Sequence, residues 1–249
     1  MSGKWGILAD RYERISHLGK GGNGTVFLAK DRHLDCFVAV KEADKAYPET
    51  VEALFRERQV LKGLCHPGIP KVLDFLEEED TFFLVTEWAE GKSMEELCGE
   101  QEEGRPDLIQ IQTWFLTVCR ILEYLETRNP PLIHGDLKPE HLIADGEGGV
   151  MLIDFGSAFA LGTEPSGQGT QGFAPPEFYP EEEGKPEISS DLYSLGASLR
   201  RILAGRKIPG IWTYIIWKCM RKKPGKRWKN AGSLRRFWGA GRYFHTRKV

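Results

Sequence analysis

Gly19-Lys20-Gly21-Gly22-Asn23-Gly24, running straight into Thr25-Val26-Phe27-Leu28-Ala29, is the stretch on which the fold turns. Glycines at this spacing let backbone N–H groups approach phosphate oxygens with no Cβ in the way. A dinucleotide fold would open a helix at this point, but the run after Gly24 is β-branched and apolar, which predicts a strand-turn-strand flap. Alone, the loop is equally a plain glycine hairpin.

The residues on either side narrow the choice. Val38-Ala39-Val40-Lys41 reads as the next strand, and a lysine ending an apolar strand is well placed to hold phosphates as a fixed positive charge. Pro48 then stands where a first-turn proline belongs, and Val51, Leu54, Phe55, Leu61 and Leu64 recur near helical spacing until His66-Pro67-Gly68 stops the run. Glu57 lies on that helix, where it can supply the counter-charge a buried lysine needs. The plain alternative is that Lys41 and Glu57 are two solvated charges.

From Arg11 to Glu87 the chain is otherwise strand-like, with runs at Thr25 to Leu28, Phe37 to Val40 and Thr81 to Thr86. After Gly91-Lys92-Ser93 the pattern turns helical, with amphipathic segments near Leu108 to Thr127, Asp191 to Leu203 and Ile211 to Cys219. The expected class is α+β, a small antiparallel sheet with one helix followed by a larger helical part. At 249 residues, 41% hydrophobic and 28% charged, the chain has enough apolar material for a real core and is not a low-complexity scaffold. No apolar run is long enough to cross a bilayer and no secretory leader is visible, so a cytoplasmic location is expected. Cys36, Cys65, Cys98, Cys119 and Cys219 are odd in number and scattered, which suggests neither a disulfide framework nor a zinc site.

Two further stretches carry acidic chemistry. In His134-Gly135-Asp136-Leu137-Lys138-Pro139-Glu140-His141, Asp136 can accept or orient a hydroxyl proton while Lys138 steadies a moving phosphoryl group. Leu152-Ile153-Asp154-Phe155-Gly156 places a carboxylate at the end of a buried strand, suited to a hard ion such as Mg²⁺.

In order and wording these motifs resemble the eukaryotic-like (Hanks-type) serine/threonine protein kinase family, in particular its compact bacterial members, from about Tyr12 to Arg227. The resemblance implies one two-lobed kinase domain over 1–249, with an N-lobe of about 1–86, a hinge of about 87–91 and a C-lobe of about 92–249. It implies ATP as cofactor with Mg²⁺, or Mn²⁺ as the alternative ion, and transfer of the γ-phosphoryl group to a protein Ser or Thr hydroxyl. Asp136, Lys138, Lys41 and Glu57 would be catalytic. Leu18, Gly19, Gly21, Gly24, Val26, Ala39, Lys41, Ile143, the guarding Thr86 and the hinge residues Glu87 and Ala89 would hold the nucleotide, and Asp154 and His141 the metal. The resemblance extends to Gly169-Thr170-Gln171-Gly172, Pro175-Pro176-Glu177 and Asp191 to Gly196. By the same analogy Glu177 pairs with Arg227, Asp191 anchors the catalytic loop, the Thr170 hydroxyl helps hold Asp136 and Lys138, and Leu61, Phe155 and His134 stack in an internal spine. The His134-Gly135-Asp136 wording is also similar to aminoglycoside and choline phosphotransferases, which lack the Pro175-Pro176-Glu177 platform.

The chain departs from the pattern at three places. Gly135 stands where the family usually has the arginine that gathers an activation-segment phosphate, so activity is expected not to depend on phosphate at Ser157, Thr163, Ser166 or Thr170. His141 replaces the asparagine that binds the second metal, which keeps a nucleotide-binding pseudokinase scaffold as the competing class. Asn23 occupies a loop tip where the family often has an aromatic.

Charge is divided unevenly. All 36 acidic residues lie at or before Asp191, and 16 of the 34 Lys and Arg follow it. This basic end, rich in aromatics from Lys218 through Arg242, Tyr243, Phe244 and Arg247, is a candidate dock for an acidic partner, an anionic membrane surface or nucleic acid. A solvated basic face partly matched to acidic runs such as Glu181-Glu182-Glu183 is the preferred reading.

Overall fold

The computed structural model describes residues 6–21, 24–99, 105–165, 167, 169–181 and 184–240. Gly22, Asn23, Ser166, Glu182, Glu183, Arg242, Tyr243, Phe244 and Arg247 from the sequence reading lie outside the described residues. The chain divides into two compact units, Met1–Ala89 with Asp154–Gly156, and Glu90–Ile153 with Ser157–Val249. The division at Ala89 and Glu90 falls inside the stretch read as a hinge.

The first unit is an antiparallel sheet carrying one helix. Its elements are β1 (Ile7–Leu8), β2 (Tyr12–Gly21), β3 (Gly24–Asp31), β4 (Cys36–Asp44), α1 (Pro48–Leu61), β5 (Val72–Glu78) and β6 (Thr81–Glu87), and the strand order is β1-β2-β3-β4-β6-β5. Gly21 pairs with Gly24 at the end of the antiparallel β2–β3 ladder. Period-2 alternation sorts the side chains into two faces. Leu8, Tyr12, Ala29, Val38, Val40, Phe83 and Val85 form a buried cluster on one of them. On the other, Ala43, Leu54 and Leu84 close a second cluster under α1, with Val51, Val72, Phe75 and Phe82 around it. Pro48 begins α1 as its spacing predicted, and the helix ends at Leu61 rather than Leu64.

The second unit contains β7 (Lys92–Ser93), α2 (Met94–Gly99), α3 (Leu108–Glu126), β8 (Leu132–Ile133), β9 (Leu142–Ala144), β10 (Val150–Leu152), β11 (Phe159–Ala160), α4 (Ser190–Ile202), α5 (Gly210–Cys219) and α6 (Ala231–Ala240). Asp107 caps α3 by accepting a hydrogen bond from Gln110 N at 2.7 Å, which satisfies one orphan donor of its first turn. Ile111, Trp114, Phe115, Val118, Leu122 and Leu125 recur at three- and four-residue steps and are all buried. Trp238 of α6 packs its ring 6.1 Å from Phe115 and 5.1 Å from Trp212. Two small antiparallel groupings, β10-β9-β7 and β11-β8, frame the loop between β8 and β9. Gly91-Lys92-Ser93, read as a joint, leads into the edge strand β7. Among the described residues no helix is long and apolar enough to cross a membrane. Cys119 and Cys219 are buried, Cys98 is half-buried and Cys36 and Cys65 are exposed, and all five are free thiols.

Candidate active site

Strand register decides which expected nucleotide residues share a surface. Val26 lies opposite Lys41, and Ala39 opposite Thr86, in successive rows of β3, β4 and β6. Lys41 and Ala39 are two residues apart on one strand, so Val26, Ala39, Lys41 and Thr86 all belong to the face that the Tyr12 cluster does not use. Val26, Ala39 and Thr86 are half-buried there, leaving a small apolar surface beside the lysine. Gly19 is opposite Val26 on β2, and Leu18 before it is exposed. Gly24 has φ +117°, and a Cβ there would collide with the Glu42 carbonyl oxygen, so this position accepts no larger residue without backbone movement. Glu87 accepts hydrogen bonds from Lys71, at N and Nζ, and Ala89 is half-buried.

At the end of β4 the Lys41 ammonium donates to Glu57 Oε2 at 2.6 Å and to Asp154 Oδ1 at 2.8 Å. Glu57 also accepts from Phe155 N at 3.2 Å, which ties α1 to the Asp154-Phe155-Gly156 turn. Burial pulls the Lys41 ammonium down, but attraction to Glu57, and then to Asp154, outweighs it and holds the group above the ordinary lysine range. Burial pushes the Glu57 carboxyl up against the attraction of Lys41, as expected where two carboxylates share one cation. With all three ionised the cluster carries one excess negative charge. Asp154 adopts φ +61°, a left-handed conformation rare outside glycine and typical of functional turns. Arg56, which the sequence did not mark, donates from Nη1 to Gly156 O at 2.9 Å and pins the same turn. Its only sequence signal is adjacency to Glu57.

In the second unit a buried carboxylate organises the loop from His134 to His141. Asp191, at the start of α4, accepts from His134 N at 2.8 Å and Gly135 N at 3.1 Å. Burial raises its proton affinity, while His134 and the two N–H donors pull the other way. His134 Nδ1 accepts from Asp136 N at 3.4 Å, so the ring carries its proton on Nε2, 3.2 Å from the Ile153 carbonyl oxygen. Asp136 is then held from two sides: Thr170 N donates to Oδ1 at 2.9 Å, and Lys138 Nζ is 3.2 Å from Oδ2. Burial opposes ionisation, but His141, Thr170 and Lys138 together hold the Asp136 carboxyl below the ordinary aspartate range. The Thr170 hydroxyl accepts from Lys138 at 2.8 Å. Holding Asp136 and Lys138 is thus split between the amide and the hydroxyl of one residue.

His141 Nδ1 is 2.8 Å from the Asp136 carbonyl oxygen. A carbonyl only accepts, so Nδ1 carries the proton and, in the neutral ring, the lone pair is on Nε2. One donor to the loop and one lone pair beyond it are also what a side-chain amide would offer. Gly135 has φ +81°, and a Cβ there would lie 2.6 Å from Ser157 O and 3.3 Å from Phe159 Cε1. The Ser157 backbone, just before β11, closes on this glycine and leaves no room for the family's arginine. Ile143 is half-buried on β9. Leu61 and Phe155 in the first unit and His134 in the second are each fully buried.

Glu177 and Arg227 form a bidentate pair at 2.5 and 2.7 Å with both side chains inaccessible to solvent. The remaining guanidinium donors reach Arg221 O, Ser189 O and Lys222 O, so all five are satisfied. The basic end finds its acidic partners at Glu95 with Arg201 and Glu123 with Arg235, besides Glu177. Among the described residues, no group of three or more His, Cys, Asp or Glu side chains could hold a metal ion.

The family model for the protein kinase domain matches residues 12–228. The chain is 32% identical over 221 residues to serine/threonine-protein kinase C of Synechocystis sp., covering 80% of this chain and 40% of that protein. It is 30% identical over 222 residues to serine/threonine-protein kinase PknA of Nostoc sp., covering 81% and 38%. With serine/threonine-protein kinase PrkC of Bacillus subtilis the identity is 27% over 206 residues, covering 80% and 31%. The chain therefore spans less than half the length of these curated relatives. A glycine-bearing strand pair, a strand lysine paired with a helix glutamate, and an aspartate loop anchored on α4 are, with these matches, features of one family: the chain belongs to the protein kinase domain family and has its two-lobed α+β fold.

Proposed function

We propose that this chain transfers the γ-phosphoryl group of ATP to a Ser or Thr hydroxyl of a protein. The observation that carries the reading is Asp136, an ionised carboxylate fixed by the Thr170 amide with the Lys138 ammonium 3.2 Å away. Its depressed pKa makes it a weak base, so its work is to orient the acceptor hydroxyl and take the proton late. Lys138 offers positive charge to the oxygens of the phosphoryl group in transit. Lys41, kept protonated and aimed by Glu57, holds the phosphates. Gly19, Gly21 and Gly24 cover them, while Leu18, Val26, Ala39, Thr86, Glu87, Ala89 and Ile143 receive the base. The serine/threonine assignment rests on Lys138 and Thr170 and on the names of the relatives. Incubating the chain with labelled ATP tests this reading, with a generic basic protein compared against aminoglycosides and choline. Label on the protein alone is expected, and label on the small molecules alone would overturn it.

Asp154 and His141 are the proposed protein ligands of a divalent ion. The donors fit such an ion: Asp154 is a hard oxygen ligand within a cluster of excess negative charge. When bound, the ion neutralises charge on the phosphates as a Lewis acid. An imidazole nitrogen favours Mn²⁺ over Mg²⁺ more than an amide oxygen does. His141→Asn is expected to lower the ratio of the Mn²⁺-supported to the Mg²⁺-supported initial rate by about 3- to 10-fold. An unchanged ratio would remove His141 from the metal site.

Regulation follows from Gly135. With no arginine there and no space for one, an activation-segment phosphate meets no partner at this position. Thr163→Ala is expected to keep the wild-type rate of phosphoryl transfer. A collapse that Thr163→Glu restores would contradict this.

A further inference from the structure

The outer face of α5 and α6 carries a surface that phosphoryl transfer does not use. α5 buries Trp212, Ile215 and Cys219 and turns the opposite side to solvent. Ile211 is 39% exposed, Tyr214 41%, Trp217 54%, and Phe237 of α6 39%. These aromatics are continuous: Tyr214 lies 5.8 Å from Trp217 and 5.8 Å from Phe237, and Phe237 lies 4.8 Å from Trp228. Arg221, Lys222, Lys223, Lys226, Lys229 and Arg236 are exposed in the segments that bear the rings. No acidic residue occurs anywhere after Asp191. Among the described residues, the basic side chains of this end that pair with carboxylates are Arg201, Arg227 and Arg235.

We propose that this face docks on an anionic lipid bilayer surface, its rings entering the headgroup region and its basic rim meeting the negative headgroups. Positive charge beside half-exposed indole, phenol and aliphatic groups matches an interface that is anionic outside and apolar just beneath. Nucleic acid would need open ring faces for stacking. Here Tyr214, one turn before Trp217, stacks on that indole at 29°, and Arg221, one turn after, stands 4.7 Å over it. Lys218 stands 4.0 Å over the buried Trp228. The Trp217 indole, the most exposed ring of the face, is thus already contacted by a ring and a guanidinium. An acidic peptide would match the rim but leave Ile211 and the rings in water.

The test is flotation of the full chain with vesicles of phosphatidylcholine alone, or with about 30% phosphatidylglycerol. Binding to the anionic vesicles only is expected, weakened by salt, with a blue shift of tryptophan emission. Tyr214→Ala combined with Trp217→Ala is expected to weaken binding about 10-fold. Lys222→Ala and Lys226→Ala, on an exposed turn where folding is not at issue, are each expected to weaken it about 5-fold. No binding to anionic vesicles at low salt would overturn the proposal. So would affinities unchanged in the lysine variants, or tighter binding to a single-stranded oligonucleotide or to polyglutamate than to the vesicles.

Discussion

Arg227→Ala is expected to destabilise the chain by about 3–5 kcal/mol, seen as a fall of roughly 10 °C in the thermal midpoint followed by circular dichroism. The size of the effect comes from what is left behind. Glu177 would remain fully buried with Ser190 Oγ, at 2.8 Å, as its remaining side-chain donor, and three carbonyl oxygens would lose the donors they now share. The pair itself need not stabilise the fold relative to apolar residues, because desolvating two ions costs nearly what their attraction returns. Arg227→Met together with Glu177→Leu should therefore recover much of the loss. A midpoint within about 2 °C of wild type for the single variant would show that the pair is not buried as described.

Lys41→Ala is expected to lower phosphoryl transfer by about 10²–10³-fold. The ammonium bridges Glu57 and Asp154, and its removal takes a positive charge from between two carboxylates. Glu57→Gln should cost less, since an amide still accepts from Lys41 while the charge is lost. Separating chemistry from binding requires nucleotide affinity measured on the same variants. A Lys41→Ala protein within about 3-fold of the wild-type rate would exclude this lysine from the reaction.

The first unit was readable because its signals are local. A β-branched run after Gly24, the Val38-Ala39-Val40 strand and Pro48 each act within a few residues, and β3, β4, β6 and α1 appear around them. The helices α3, α4 and α5 begin and end within a residue of the expected bounds, since a repeated three- and four-residue spacing is hard to mistake. Strands of two or three residues, such as β8 and β11, have no period to read and exist because their partners are brought alongside. The short α2 and the terminal α6, whose apolar residues are interleaved with arginine and glycine, also escaped.

At the candidate site, residue types were legible and contacts were not. Glu57 and Arg227 could be named from order along the chain, but nothing in that order shows that Gly135 is enclosed by Ser157 O, or that the Thr170 amide serves Asp136. Those depend on segments more than twenty residues apart. Arg56 was missed for the same reason. The basic end was legible as charge interleaved with aromatics, and its division into internally paired arginines and an exposed aromatic face is a property of the packed helices.

The most direct measurement is transfer of label from γ-labelled ATP by wild type and Asp136→Asn, with nucleotide affinity determined for both. A loss of about 10²-fold or more in transfer with affinity preserved is expected for the variant. Equal transfer by the two proteins would contradict this.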